Sequence, residues 1–292
     1  MILRKRIYEM GERFADSVLE RAATFAFPGR DVPLPPVLVI ALPKSGSVYL
    51  QRALRRTLRV QVHHITSSGM SGATFREADL CRFAQGNVVS REHLQPRPFA
   101  LNVLARYGIN KAVLHVRDPR AAIVSWTRHM DRVLASRGFR SVELSCEMPL
   151  PDAYPSWSFE DRLHWQVENK MPSFVHWIED WLALAETNRD VELLVTDHAA
   201  LLEDGRDLIT RILDFYEIPY DPEWLSMPST AYGKNNIYSF LEAERTARAR
   251  PAAERGARFM PSWAMLMPGE IRKVANTLMP DPLSRRFGWD GL

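Results

Sequence analysis

The sequence of 292 residues contains only two cysteines, Cys81 and Cys146. Two isolated cysteines are too few for a disulfide framework or for a zinc site made of cysteines. No other compact set of metal-ligating side chains stands out either. We therefore expect a reducing compartment, a cytoplasmic location and no bound metal.

Long apolar runs are also missing. No stretch approaches the roughly 20 apolar residues that cross a bilayer, and charges interrupt every apolar run in the opening segment MILRKRIYEMGERF. We therefore expect neither a transmembrane segment nor a secretory signal. Apolar residues recur instead at helical spacing over residues 1–25, which predicts an N-terminal helix within residues 1–30. This helix either packs on the domain or makes a weak contact with a membrane surface or a second copy.

The sequence also lacks an excess of charge of one sign. The net charge is only +3, with 46% hydrophobic and 25% charged residues, which is typical of a globular protein. Any attraction to anions must then come from local placement of charge rather than from a global field. We expect no nucleic-acid partner, and we predict a single domain over residues 1–292.

Short apolar runs alternate with helical patterns along most of the chain. Because parallel strands alternate with helices in this way, the pattern predicts an α/β fold with a central parallel sheet flanked by helices. Residues 131–185 break the rhythm and concentrate aromatic residues, which predicts a helical insertion. The predicted strands are 37–42, 60–65, 87–90, 111–116 and 191–196.

The loop that follows the first strand has the composition of an anion site. Lys44 supplies a positive charge, Gly46 lets the backbone approach a ligand, and the next helix begins beside them. The N-terminus of a helix offers unpaired N–H groups and a positive dipole end to a phosphate or sulfate. The alternative is an ordinary strand-to-helix turn, which is also rich in Ser and Gly. The order of lysine and glycine differs from that of a Walker A loop.

A second candidate for anion binding follows the strand 111–116. Arg117 ends this strand, and Asp118 is placed to cap a helix that carries Ser125 two turns later. Arg117 and Ser125 can then converge on one anion, since arginine makes planar bidentate contacts with phosphates. The alternative is that Arg117 pairs with Asp118 and that Ser125 faces solvent.

Together the segments PKSGSVYL and RDPRAAIVSW resemble the PAPS-dependent sulfotransferase family, in which the first is usually written PKSGTTW. PAPS is 3′-phosphoadenosine 5′-phosphosulfate. The resemblance implies a P-loop-like α/β fold and in-line transfer of a sulfuryl group from PAPS to an acceptor hydroxyl or amine. The product would be adenosine 3′,5′-bisphosphate, abbreviated PAP. The rival interpretations are a P-loop-type kinase of a small molecule and a non-catalytic nucleotide-binding protein.

The resemblance also assigns roles to residues. Arg117 and Ser125 match the family's contacts with the 3′-phosphate, and Val48 and Tyr49 stand where the family has a hydroxyl residue and commonly a tryptophan. The loop residues that would bind the phosphosulfate are Lys44, Ser45, Gly46, Ser47, Val48 and Tyr49.

His93 is the candidate for the catalytic base. The triplet Arg91-Glu92-His93 follows a predicted strand and matches a family position usually written K-x-H. Histidine is the usual proton acceptor near neutral pH. The resemblance then implies that His93 takes the acceptor's proton while Lys44 stabilises the departing oxygen. A histidine in a surface loop is the alternative.

Farther along the chain the resemblance is weaker. His198 occupies the region where the family usually has a Tyr-Glu-Asp triplet, so it is a candidate contact for the donor. The resemblance aligns Arg255 and Gly256 with a family loop close to RKGxxGDW, and a solvated basic face is the alternative. The acceptor is expected to be a small molecule or a glycan. The loop 146–159 is expected to cover it as part of the insertion, with Tyr154 or Trp157 stacking on a ring of the acceptor.

Overall fold

A five-stranded parallel sheet forms the centre of the protein. The computed structural model describes residues 34–67, 74–225 and 262–289. The strands are β1 (Val37–Ala41), β2 (Gln61–Val62), β3 (Val88–Glu92), β4 (Lys111–Val116) and β5 (Glu192–Asp197). Their order across the sheet is β2-β3-β1-β4-β5, and every pairing is parallel. The predicted parallel α/β sheet is confirmed.

Helices cover both faces of this sheet. In chain order they are α1 (Ser47–Leu58), α2 (Glu77–Ala84), α3 (Pro98–Arg106), α4 (Pro119–Arg137), α5 (Phe139–Cys146), α6 (Phe159–Asn169), α7 (Met171–Thr187), α8 (His198–Glu203), α9 (Gly205–Phe215), α10 (Ser262–Leu266), α11 (Gly269–Thr277) and α12 (Asp281–Phe287).

β1 is buried along its whole length because it lies in the middle of the sheet. Its side chains alternate between two hydrophobic cores, since successive residues of a strand point to opposite faces. Leu38 and Ile40 enter the core that contains α4 and α7, while Val37 and Val39 enter the core that contains α1 and α9. A continuous apolar run is typical of such a doubly covered strand.

The chain leaves the sheet earlier than predicted after β2, and a buried carboxylate holds it there. Glu92 is fully buried at the end of β3. Its oxygens accept hydrogen bonds from the Thr66 hydroxyl at 2.6 Å, the Ser90 hydroxyl at 2.6 Å, the Ile65 amide at 3.0 Å and His64 Nδ1 at 3.1 Å. Side-chain contacts thus replace the strand ladder that the prediction placed over residues 60–65.

The segment that interrupts the strand–helix alternation is helical, and its loop packs inward. Ser158 and Asp161 form a reciprocal capping box at the start of α6. Tyr154 is fully buried, and its hydroxyl oxygen accepts a hydrogen bond of 3.0 Å from Gln166. The expectation that Tyr154 faces an acceptor is therefore wrong, because the ring belongs to the core. Trp157 is half-buried against Tyr154.

Two further predictions concern the N-terminal helix and the absence of a transmembrane segment. The predicted N-terminal helix of residues 1–25 lies outside the described residues. Among the helices that are described, none is long and apolar enough to cross a membrane.

Candidate active site

Charged side chains from three neighbouring strands meet at one edge of the sheet. Lys44 follows β1, Arg91 and His93 lie at the end of β3, and Arg117 follows β4. Because these strands are parallel neighbours, their carboxyl ends share an edge, which is where open α/β sheets bind ligands. The structure therefore brings together the residues that the sequence predicted from separate motifs.

The loop after β1 turns sharply to expose the start of α1. Lys44 and Gly46 both have left-handed backbone angles, with φ of 68° and 85°. Such an angle is uncommon outside glycine. Gly46 is the N-cap residue of α1, and no side chain caps this helix. The first turn of α1 thus presents backbone N–H groups that suit an anion.

His115 of β4 and Arg117, which directly follows β4, hold this loop by hydrogen bonds. Arg117 donates a hydrogen bond of 2.9 Å to the carbonyl oxygen of Lys44. The buried His115 bonds the Ser45 carbonyl through Nε2 at 2.9 Å and the Thr196 hydroxyl through Nδ1 at 2.9 Å. Since a carbonyl only accepts, Nε2 of His115 carries the proton. The Ser45 hydroxyl is buried and has no hydrogen-bond partner among the described residues.

His198 lies directly against the glycine of the loop. A Cβ atom at Gly46 would stand 3.0 Å from Cδ2 of His198, which is tighter than most real contacts, so the imidazole would have to shift by a few tenths of an ångström. His198 itself is buried at the start of α8. The two residues therefore pack against each other, and glycine is favoured at position 46 by its backbone angle and, to a smaller extent, by this contact.

Lys44 sits in a strongly positive environment. Burial and the charges of Arg132, Arg117 and Arg91 lower the pKa of Lys44 to about 8. A lowered pKa means that the ammonium form is destabilised until an anion arrives. Lys44 is consequently poised to gain charge stabilisation when a phosphate or sulfate binds.

Arg117 lies in the connection between β4 and α4, and Ser125 lies within α4. Arg117 is buried, and Ser125 is half-buried two turns into α4. Asp118 caps α4 by accepting from the Arg120 backbone amide at 2.9 Å, and its other oxygen pairs with the Arg120 guanidinium at 2.9 Å. The carboxylate beside Arg117 is therefore already engaged by Arg120.

Both ring nitrogens of His93 are engaged. Nδ1 lies 2.6 Å from the Ala41 carbonyl oxygen, and Nε2 lies 2.7 Å from a guanidinium nitrogen of Arg91. Because a guanidinium only donates, Nε2 is the acceptor and Nδ1 carries the proton. Burial, followed by the charge of Arg91, lowers the pKa of His93 to about 4. The imidazole is neutral near pH 7, and its lone pair points at Arg91.

The remaining predicted residues differ in their placement. Ser47 is buried at the start of α1, Val48 is 46% exposed, and Tyr49 is half-buried against the core on the α1 and α9 side. Arg255 and Gly256 lie outside the described residues, so their expected contact is not described here. No group of three metal-ligating side chains occurs within the described ranges.

Sequence reasoning missed two residues of α4 that belong to this site. His129 and Arg132 follow Ser125 by four and seven residues, which places them on the same helical face. Burial and the charges of Lys44 and Arg132 lower the pKa of His129 to about 4. The spacing was visible in the sequence, but nothing in it indicated that these residues influence the pKa of Lys44 or are influenced by its charge.

The chain is similar to known proteins in both sequence and structure. A family model described as the sulfotransferase domain matches residues 34–232. The structure resembles a mouse sulfotransferase, SULT7A1, solved in complex with PAP, with a TM-score of 0.50 and 11% identity over 93% of this chain and 92% of the other. It also resembles a retinol dehydratase solved with retinol and PAP, with a TM-score of 0.48 and 13% identity over 85% and 81% of the two chains. No curated protein matches the sequence.

Proposed function

This chain belongs to the sulfotransferase-domain family, and from that premise we propose that it transfers a sulfuryl group from PAPS to an acceptor hydroxyl or amine. The family match covers the sheet and the loops that carry Lys44, His93 and Arg117. The acceptor is a small molecule or a glycan in this proposal, and PAP is the second product.

The observation that carries the proposal is the position of Lys44 and Arg117, which follow neighbouring strands at one edge of the sheet and are hydrogen-bonded to each other. The donor has an anionic phosphosulfate at one end and a 3′-phosphate at the other. The uncapped start of α1 and Lys44 suit the first, and Arg117 with Ser125 suits the second. The hydrogen bond of 2.9 Å from Arg117 to the Lys44 carbonyl supports the proposal, because it joins the loop assigned to the phosphosulfate to a residue assigned to the 3′-phosphate.

We propose an in-line displacement at sulfur. The acceptor oxygen forms a bond to sulfur while the bond from sulfur to the bridging oxygen of the donor breaks. The electron pair of that bond stays on the departing phosphate, where the ammonium of Lys44 stabilises it. Positive groups fixed in advance near developing negative charge commonly give the largest catalytic contribution.

His93 accepts the acceptor's proton on Nε2 in this scheme. Its lone pair is occupied by Arg91 at 2.7 Å, so Arg91 must first release it. An incoming sulfuryl group offers the guanidinium a charge-assisted hydrogen bond, which is stronger than one to a neutral imidazole. Donor binding would therefore draw Arg91 onto the sulfuryl oxygens and free Nε2 at the moment when a base is required.

Calorimetry tests the donor assignment against its rivals. We expect PAP to bind at least about 100-fold more tightly than ATP, because only PAP carries the 3′-phosphate that Arg117 and Ser125 would bind. Sulfuryl transfer is then tested by incubating the protein with PAPS and candidate phenols, amines or sugars. The release of PAP is measured by chromatography. Tighter binding of ATP would favour a kinase, and PAP binding without any PAPS turnover would favour a non-catalytic protein.

A further inference from the structure

The C-terminal segment of residues 262–289 contacts the start of α4, although it lies beyond the residues that the family model matches. Arg120, which is buried in the first turn of α4, reaches into this segment. Its Nη1 donates a hydrogen bond of 2.8 Å to Oδ1 of Asn276, and its Nη2 donates to the carbonyl oxygen of Trp289. The ring of Trp263 lies 5.0 Å from Cζ of Arg120, within the range of a cation–π contact. Helices α10 and α11 and the chain after α12 therefore all hold this one guanidinium.

The same guanidinium also holds Asp118. Its Nε lies 3.0 Å from Oδ1 and 3.2 Å from Oδ2 of Asp118, and its Nη2 lies 2.9 Å from Oδ2. This contact is bidentate, and the planar fork of an arginine fixes the orientation of a carboxylate in such a contact. Oδ1 of Asp118 also accepts from the Arg120 backbone amide at 2.9 Å and so caps α4. The carboxylate is therefore fixed from two directions.

Asp118 lies between the two residues that we assign to the 3′-phosphate. Arg117 precedes it directly, at a Cα separation of about 3.8 Å, and Ser125 follows it on the helix that Asp118 caps. Arg117 is buried and donates to the Lys44 carbonyl oxygen at 2.9 Å. A residue that fixes Asp118 consequently fixes the backbone from which the Arg117 side chain starts, and it fixes the first turn of the helix that carries Ser125.

Stability alone is a poor explanation for this arrangement. Arg120 and Asp118 are both buried, and the cost of removing two charges from water is offset only when their geometry is good. Apolar side chains of similar volume would join the C-terminal segment to α4 without that cost. What the ion pair adds is direction, because a planar fork holds a carboxylate in one orientation and an apolar contact does not.

We propose that Arg120 is a positioning residue for the 3′-phosphate of the donor. Through Arg120, the segment 262–289 sets the preference of the site for a nucleotide that carries this phosphate. Arg120 acts through Asp118 and does not touch the ligand. The inference rests on the proposed sulfuryl transfer, whose donor supplies the 3′-phosphate, and it extends the donor site to residues beyond the family match.

PAP and adenosine 5′-monophosphate differ only in the 3′-phosphate, so calorimetry with both nucleotides tests the proposal. Arg120→Lys keeps the positive charge but loses the planar fork. The ratio of the affinity for PAP to the affinity for adenosine 5′-monophosphate should fall at least about 5-fold in this variant, because charged hydrogen bonds weaken when they are misaligned. Thermal unfolding of the variant shows whether it is folded. A merely structural role would lower the melting temperature and leave the ratio unchanged.

Asn276→Ala provides a second test, because Asn276 is half-buried in α11 and its loss leaves the contact between Arg120 and Asp118 in place. We expect the same ratio to fall by about 3-fold, since a hydrogen bond to a charged group is lost. Lys273→Ala is the matched control in the same helix. Lys273 is exposed and pairs with Glu270, so the ratio should stay unchanged.

An unchanged ratio in folded Arg120→Lys contradicts the proposal. Should that variant not fold, an unchanged ratio in Asn276→Ala contradicts it instead. A lowered ratio in Arg120→Lys with an unchanged ratio in Asn276→Ala contradicts the part assigned to the C-terminal segment, and an equal fall in Lys273→Ala contradicts the part assigned to Arg120. Failure of the unmodified protein to prefer PAP would contradict the proposed function, and the two failures are therefore distinguishable.

Discussion

Trp177 and Trp181 donate their indole N–H groups to the same oxygen, the carbonyl of Leu94, at 2.8 and 3.2 Å. Leu94 directly follows His93, so α7 holds the backbone of the proposed base from one side. The contact from His93 Nδ1 to Ala41 holds its side chain from the other. The helical segment between β4 and β5 thus supports the site through Trp177 and Trp181, which are themselves buried in the core.

Replacing both tryptophans with phenylalanine should slow turnover without weakening donor binding. The double variant Trp177→Phe/Trp181→Phe keeps aromatic packing but loses two hydrogen bonds of about 0.5–1.5 kcal/mol each. We expect the rate of PAP release from PAPS to fall about 5- to 50-fold as His93 loses its fixed position. Trp165→Phe in α6 is the control. Unchanged turnover in the double variant would show that the contact with Leu94 is only structural.

Arg117 and Ser125 should favour ligands that carry a 3′-phosphate over ligands that lack it. Ser125→Ala should weaken PAP binding by a few fold, and Arg117→Ala by about 10- to 150-fold, since a charged hydrogen bond is worth roughly 1.5–3 kcal/mol. Adenosine 5′-phosphosulfate lacks the 3′-phosphate, so its affinity for Ser125→Ala should hardly change. Ser125 gives the cleaner test, because Arg117 also holds the Lys44 carbonyl. Equal losses for both ligands in Ser125→Ala would contradict the assignment.

PAP affinity should fall as the pH rises above about 8. The pKa of Lys44 is lowered to about 8 in the free protein, and an anionic ligand must raise it. PAP binds better when Lys44 is protonated. The affinity for PAP is therefore highest below the pKa of Lys44 in the free protein, and it declines between that pKa and the higher pKa in the complex. Calorimetry at pH 8.5 in two buffers of different ionisation enthalpy should show proton uptake. Lys44→Met should abolish that uptake, and uptake that persists there would exclude Lys44 as its source.

His93→Asn should lower turnover by about 10²- to 10⁴-fold, the usual loss for a general base, while PAP affinity stays nearly unchanged. Because the pKa of His93 is lowered to about 4, a base of this kind remains neutral well below pH 6.5. The acid limb of kcat/KM, which reports the free enzyme, should therefore lie below pH 5 rather than near 6.5 in the unmodified protein. A wild-type rate in His93→Asn across this range would remove His93 from the mechanism.

The sequence predicted the sheet because the central strands β1 and β4 are short apolar runs buried on both faces, and such runs can be recognised without knowledge of the tertiary structure. It predicted that Lys44 and Arg117 lie at the same edge of the sheet because each of them follows a predicted strand. It failed at Tyr154, since a proline-rich loop with aromatic residues reads alike whether it packs inward or covers a ligand. It also failed to connect Arg132 with Lys44, because the influence of Arg132 on the pKa of Lys44 depends on packing between distant segments.

The buried carboxylate at the end of β3 has a consequence for the behaviour of the folded protein in concentrated solution. β2 is the outermost described strand on its side and has only two residues, so it offers a foreign strand little backbone to pair with. Glu92 keeps it so by tying down the residues that would otherwise extend it. Burial tends to raise the pKa of Glu92, but hydrogen bonds from His64, Ser90 and Thr66 outweigh this effect and keep the pKa below its usual value. Acid strong enough to protonate Glu92 would loosen that tie, and the chain would then become prone to edge-to-edge aggregation.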